Sequence, residues 1–434
     1  LFAPDDGHTA FGNIGTSIVE YEDTWLFFYH ERFHTPERGC TERKPCMDTC
    51  FFNEEGLIKV AGSGDSFGFN LDNFGLKTRF ERSYNRDNLP QWFSNHEFRG
   101  LAYQEGIIYV CDREGKGIAK IDSKTGDLIG WIGDSDIPLW DIEIDKSGKL
   151  FASQMGCNTN SDSVKIFTWS STGDEARRST VFQWAPDQNK YKLGDNFSVA
   201  GSYSNFSVEI YMANSLKDNT CNQIYKWSMS TGLSNIPDDT TIVKNLENGY
   251  MGRQVDIYPL GGLNTDSVLI AGNDLRAQKV FLNSGDTKKI NNFEGYVYGN
   301  GISAFRLGNN QVLAQTNNFN PTQKNKQSFQ IIEYNEGLPN VDSITLENAS
   351  LGPAERNNGD LRGYSDIEVT ASPEGITDIY ILQTDNGYAH YTLKKQSSSI
   401  EPFKSQNCKD YKLYHNYPNP FNPTINIKFK FVRT

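Results

Sequence analysis

Nothing long and apolar is present in this chain of 434 residues. No hydrophobic stretch approaches the roughly 18 residues that a membrane-spanning helix needs, so no helical span is expected. Charge of either sign does not collect in runs, and the formal net charge is −12. That balance argues against nucleic acid and anionic membranes as partners. No Gly-x-Ser-x-Gly elbow occurs, which removes the usual serine-hydrolase signature. Calcium-loop spacing is missing too: Asp145 to Lys149 and Ser171 to Glu175 carry turn chemistry only. The glycine-rich Gly62 to Gly68 is not followed by a helical pattern, so it reads as a linker rather than a phosphate cradle. The start, "LFAPDDGHTAFG", has no initiator Met, no basic segment and no apolar core of a signal peptide. It is expected to follow a removed leader or further upstream chain.

Methionine is scarce as well, five residues against 27 Phe and 21 Tyr. Aromatic and β-branched richness, with many Gly, Asn, Asp and Ser, reads as an all-β protein with many turns. Seven cysteines are an odd number. Cys157 with Cys221 is a candidate pair, although spacing does not determine connectivity. Cys40, Cys46 and Cys50 lack a fourth ligand at a spacing that suits zinc.

The first sixty residues hold two strand-like runs around Glu22-Asp23, then a third strand, a turn at Asn53 to Gly56 and a short fourth strand. Gly7-His8, "WLFFYH" at Trp25 to His30, Arg43-Lys44 and "MDTCFFNEEGLI" at Met47 to Ile58 together resemble the closing part of a glycoside hydrolase family 43 catalytic domain. That family is a five-bladed propeller, so residues 1–60 are expected to be an orphan C-terminal fragment of such a fold. The resemblance makes His8 a residue lining the sugar site or its ion; the alternative is a turn or buried histidine. The segment "TAFGNIG" departs from the family pattern. The two carboxylates of an inverting glycosidase would lie upstream of Leu1, so no catalytic residue is assigned within this chain.

After a linker at 61–73, residues 74–395 fall into units of about 40 to 50 residues, the period of a propeller blade. "FRGLAYQEGIIYVCDREGKGIAKIDSKTGDLIGWIG" is one unit, with turns at Glu105-Gly106, Glu114-Gly115 and Thr125-Gly126. Units follow at "LWDIEID", "GDNFSVAGS", "RQVDIYP", "NGISAFRLG" and "RGYSDIEVT". The sixth supplies three strands, and "FGLKTRFERS" at Phe74 to Ser83 is left over at the front. Joining the two removes two exposed edges. The fold class is therefore all-β: a six-bladed β-propeller closed by strand exchange. "FERSYNRDNLPQWFSNHEFRGLAY", "IAKIDSKTGDLIG", "VKIFTWSS" and "LGDNFSVAGS" are similar to a family of secreted bacterial propellers of unknown function, which implies a setting but no reaction.

Inner strands of a propeller line its channel. Arg99, Asp141, Asp195, Arg253, Asp256, Arg362 and Asp366 lie on or beside them, with Trp92 and Trp140 nearby. Asp and Arg would bond sugar hydroxyls and Trp would offer a flat apolar face. The competing reading makes Asp and Arg ring-closing salt bridges, with the tryptophans filling gaps between blades. No cofactor is expected. Calcium is the one ion left open, since a lactonase-type channel would hold it with Glu, Asn and Asp, and the arginines count against that.

Residues 396–410 are a polar linker. "YKLYHNYPNPFNPTINIKFKF", Tyr411 to Phe431, is very similar to the start of the C-terminal sorting domain of the type IX secretion system. Its prolines favour an extended entry, and "INIKFKF" begins a strand. Residues 411–434 are thus expected to be a truncated sorting domain, and the protein secreted or attached to the cell surface. The function these readings imply is a fragment of a secreted carbohydrate-active protein whose propeller is an accessory, glycan-binding module. Its partners would be a polysaccharide or oligosaccharide and the secretion machinery, and it would be a monomer. The alternatives are a noncatalytic adhesin or scaffold, and a propeller enzyme such as a lyase or lactonase.

Overall fold

The structure is a computed structural model. It describes residues 17–34, 41–61 and 74–395 apart from connecting segments, the longest being 216–222, 230–238, 244–253, 291–299, 317–328, 334–342, 345–350 and 352–363. Residues 396–434, and with them the sorting-domain reading, lie outside the described residues.

Residues 17–61 form a four-stranded antiparallel meander in chain order: Ser17–Tyr21, Thr24–His34, Thr41–Phe52 and Ile58–Ala61. These are the four strands expected from the alternating pattern. His8 falls outside the described residues.

Residues 74–395 make six four-stranded antiparallel blades. Their inner strands are Phe98–Gln104, Asp141–Ile144, Ser198–Ser202, Asp256–Pro259, Ile302–Leu307 and Ser365–Ala371, in blades 1 to 6. Blade 6 takes its outer strand, Phe74–Ser83, from the front of the propeller, paired with Gly387–Lys395. The strand exchange expected from the sequence is therefore present. Gly387, at φ 146°, permits it, since a Cβ there would meet the Arg82 carbonyl oxygen at 1.9 Å.

The middle strands are buried on both faces because they are sandwiched between neighbouring blades, and period-two alternation sorts their side chains. In blade 3, Val208, Ile210 and Met212 face blade 2, with Phe151, Ile166 and Phe182. Tyr211 and Ala213 face blade 4, with Ile257, Val268 and Ile270. The same sorting leaves one apolar seam at each of the six interfaces. Trp92 belongs to the seam between blades 6 and 1, packed edge-on to Phe93, Phe98 and Trp131. It fills a gap between blades there.

Candidate functional site in the central channel

Three inner strands carry the same short text two blades apart: Asp141-Ile142-Glu143, Asp256-Ile257-Tyr258 and Asp366-Ile367-Glu368. Each aspartate accepts the N–H of its own next residue, at 2.9, 2.8 and 2.7 Å. Its second oxygen reaches the following blade. Asp141 accepts Phe197 N–H at 2.8 Å, Asp256 accepts Ile302 N–H at 2.7 Å, and Asp366 accepts Leu101 N–H at 2.6 Å. The aspartates thus staple blade 2 to 3, 4 to 5 and 6 to 1. The ring-closing partners are backbone amides, not the arginines expected from the sequence. Gly100 keeps the return contact open: a Cβ there would lie 2.4 Å from Asp141 Oδ1.

Two positions further along, side chains point into the channel. Glu143, Tyr258 and Glu368, with the three aspartates, line a cavity of about 340 Å³. Ile257, Ile302 and Ile367 supply apolar patches, and Lys146 and Gly262 border it at the strand ends. Tyr258 is tied down by its hydroxyl, which donates to the Ala304 carbonyl at 2.8 Å. Glu143 and Glu368 have no hydrogen-bond partner among the described residues. Both are half-buried and line the cavity.

Crowded carboxyls in an enclosed space resist ionisation. Burial, then Asp366 and Asp256, push Asp141 well above the usual range. Burial, then Asp141 and Glu368, do the same to Glu143, and burial with Asp366 to Asp256. Burial raises Asp366 to about 7; burial with the Asp366 charge raises Glu368 to about 8. This chamber is acidic: it holds the aspartates expected beside the inner strands, and Arg99, on the strand Phe98–Gln104, is not in its lining. The carboxylates do not fit a calcium ion as placed. Among the described residues, only His96, Asp112 and Glu114 bring three ligand atoms within 4.8 Å of one another, and Asp112 there already accepts the Glu114 and Lys116 amides of its turn.

The arginine lies one layer away, where the inner strands begin. Tyr364, entering blade 6, donates its hydroxyl to Asp195 Oδ1 at 2.9 Å. Asp195 enters blade 3, so this bond crosses the channel between opposite blades. Ser215 and Lys192 also bind Asp195. Burial works to raise the Asp195 carboxyl, but Lys192, Ser215 and Tyr364 hold it below its ordinary value. Arg99 stacks on the Tyr364 ring at 3.4 Å and lies 5.1 Å from the Trp140 ring. Its Nη2 is bonded by Glu97, which also accepts Arg113 at 2.7 Å. Gln254, Asn300 and Ser365 continue this polar belt.

So the structure sorts the expected site residues. Asp141, Asp256 and Asp366 fall in the acidic chamber; Arg99, Trp140 and Asp195 fall in the belt; Trp92 falls in neither. Arg253 and Arg362 lie outside the described residues. Glu143, Glu368 and Tyr364 were missed, and the threefold Asp-Ile-Glu/Tyr text was the signal that would have found the first two.

Comparison with solved structures finds several matches. One is a structural-genomics protein of unknown function from Bacteroides thetaiotaomicron, 11% identical, covering 87% of each chain with a TM-score of 0.49. Another is a gluconolactonase from Xanthomonas campestris, 9% identical over 74% of this chain and 89% of that one, TM-score 0.41. A third is the virginiamycin B lyase of Staphylococcus aureus, 10% identical over 88% and 94%, TM-score 0.38. No family model matches the chain, and no curated protein matches it.

Proposed function

We propose that the propeller is a glycan-binding accessory module of an exported carbohydrate-active protein. The observation that carries this reading is the pair Glu143 and Glu368, two carboxyls with no hydrogen-bond partner among the described residues, facing a cavity of about 340 Å³. That volume lies at the lower end of the range for small-molecule sites, about 300–1,000 Å³. Carboxyls there accept hydrogen bonds from sugar hydroxyls, and in protonated form donate them. The isoleucines beside them suit the C–H faces of a pyranose. The glycosidase resemblance of residues 7–60 supports the carbohydrate class, and the sorting-signal resemblance of residues 411–431 supports export.

A glycan array followed by calorimetry tests this. Wild-type protein is expected to bind a neutral oligosaccharide, and Glu143→Gln with Glu368→Gln to weaken it about tenfold or more. Absence of binding to any neutral glycan would discard the reading. A second reading, a propeller enzyme, is favoured by carboxyls near pH 7 and 8, a range suited to proton exchange. Turnover in a parallel hydrolysis and lyase screen, lost in Glu368→Gln, would establish it in place of the accessory role.

A further inference from the structure

Arg99 is a cation with too few acceptors. Its side chain is 1% exposed, and Nε and Nη1 have no hydrogen-bond partner among the described residues. Burial depresses its pKa, and the nearby Tyr364 and Glu97 work against that. Only Nη2 is satisfied, by a carboxylate that Arg113 shares. Lys192 stands on the other side, its Nζ 5.8 Å from the Trp140 ring, with Arg113 4.5 Å from the same ring. Three cations, Arg99, Arg113 and Lys192, thus surround one indole and meet two carboxylates, Glu97 and Asp195. Among the described residues this is a local excess of one positive charge, in a chain of net charge −12. A buried guanidinium with idle donors is costly unless an anion completes it.

We propose that this end of the channel is an anion subsite that takes the carboxylate of an acidic sugar. The guanidinium supplies charge-assisted hydrogen bonds through its idle donors. Half-buried Trp140 meets the ring carbons beside the carboxylate. Arg113 and Lys192, with side chains 39% and 24% exposed and each already paired with a carboxylate, add positive charge that attracts the anion. The sugar part of this proposal rests on the glycan reading above; the anion part does not. The subsite is separate from the acidic chamber, which would repel the same carboxylate.

Galacturonate and galactose, as monosaccharides and as short oligomers, are the probes, titrated at matched ionic strength with sodium sulfate as a further arm. Galacturonate is expected to bind at least about tenfold tighter than galactose, with affinity falling as salt rises. Arg113→Gln and Lys192→Gln are expected to weaken it about three- to tenfold each. Arg99→Met is expected to abolish the preference while the thermal midpoint of the unliganded protein holds or rises, because Glu97 keeps Arg113 as partner. Equal affinity for the neutral and acidic sugars, or a preference that survives in Arg99→Met, would overturn the subsite and leave the chamber reading untouched. Stabilisation by galacturonate and sulfate alike, lost in Arg99→Met, would uphold the anion site and remove its sugar specificity.

Discussion

The carboxyls of the channel do two different jobs although they share one environment. Asp141, Asp256 and Asp366 spend their oxygens on backbone amides of two blades, whereas Glu143 and Glu368 spend none on the described residues. The consequence for pH can be signed. Glu368 titrates at about 8 in the folded chain against an ordinary 4.5. Between those values the native state holds more protons than the unfolded state, so stability falls as pH rises across that window and levels off above it. Glu368→Gln removes the penalty. Its thermal midpoint is expected to exceed wild type by several degrees at pH 8.5 and to match it near pH 3.5, where the carboxyl is protonated in both the folded and the unfolded chain. The difference is of order 1–3 kcal/mol once contact with channel solvent is allowed for. A gain of equal size at both pH values, followed by calorimetry, would place the effect in packing instead.

At the scale of the element, the closure of blade 6 joins strands more than 300 positions apart, Gly387 with Ser83 through Lys395 with Phe74. Each is an edge without the other, and an open propeller exposes both. Gly387→Val places a branched side chain where a Cβ already lies 1.9 Å from the Arg82 carbonyl. The variant is expected to melt at a clearly lower temperature, with a broadened transition and a larger hydrodynamic radius. A melting curve that overlays wild type would show that the seam of Phe80, Tyr388 and their neighbours holds the ring without this strand pair. The alternation that builds these strands was legible in the text, because a two-residue period is local. The extra strand at the front was legible for a different reason: the last unit was one strand short.

For the whole molecule, the proposal of export makes a prediction of its own. In its native host the protein is expected outside the cell or on its surface, accessible to added protease, and to be retained inside when residues 411–434 are deleted. Recovery of the intact chain only from the cytoplasm would remove the sorting-signal reading. The two ends of the channel make the same point about organisation: one protein presents an acidic chamber and a cationic belt a single layer apart, which net charge alone would never reveal.

Composition and blade-length repeats were enough to determine the all-β class and the six blades, which depend on patterns within a few tens of residues, and counting strands per unit showed which one closes the ring. They were also enough to put Arg99, Asp141, Asp195, Asp256 and Asp366 beside the channel. The tertiary structure alone decided what those residues do. Whether an aspartate meets an arginine or an amide depends on which blade stands next to it, and Asp195 and Tyr364 are 169 positions apart yet share a hydrogen bond. Such pairings follow from ring closure, a property of all six blades together, and no local stretch of sequence contains it.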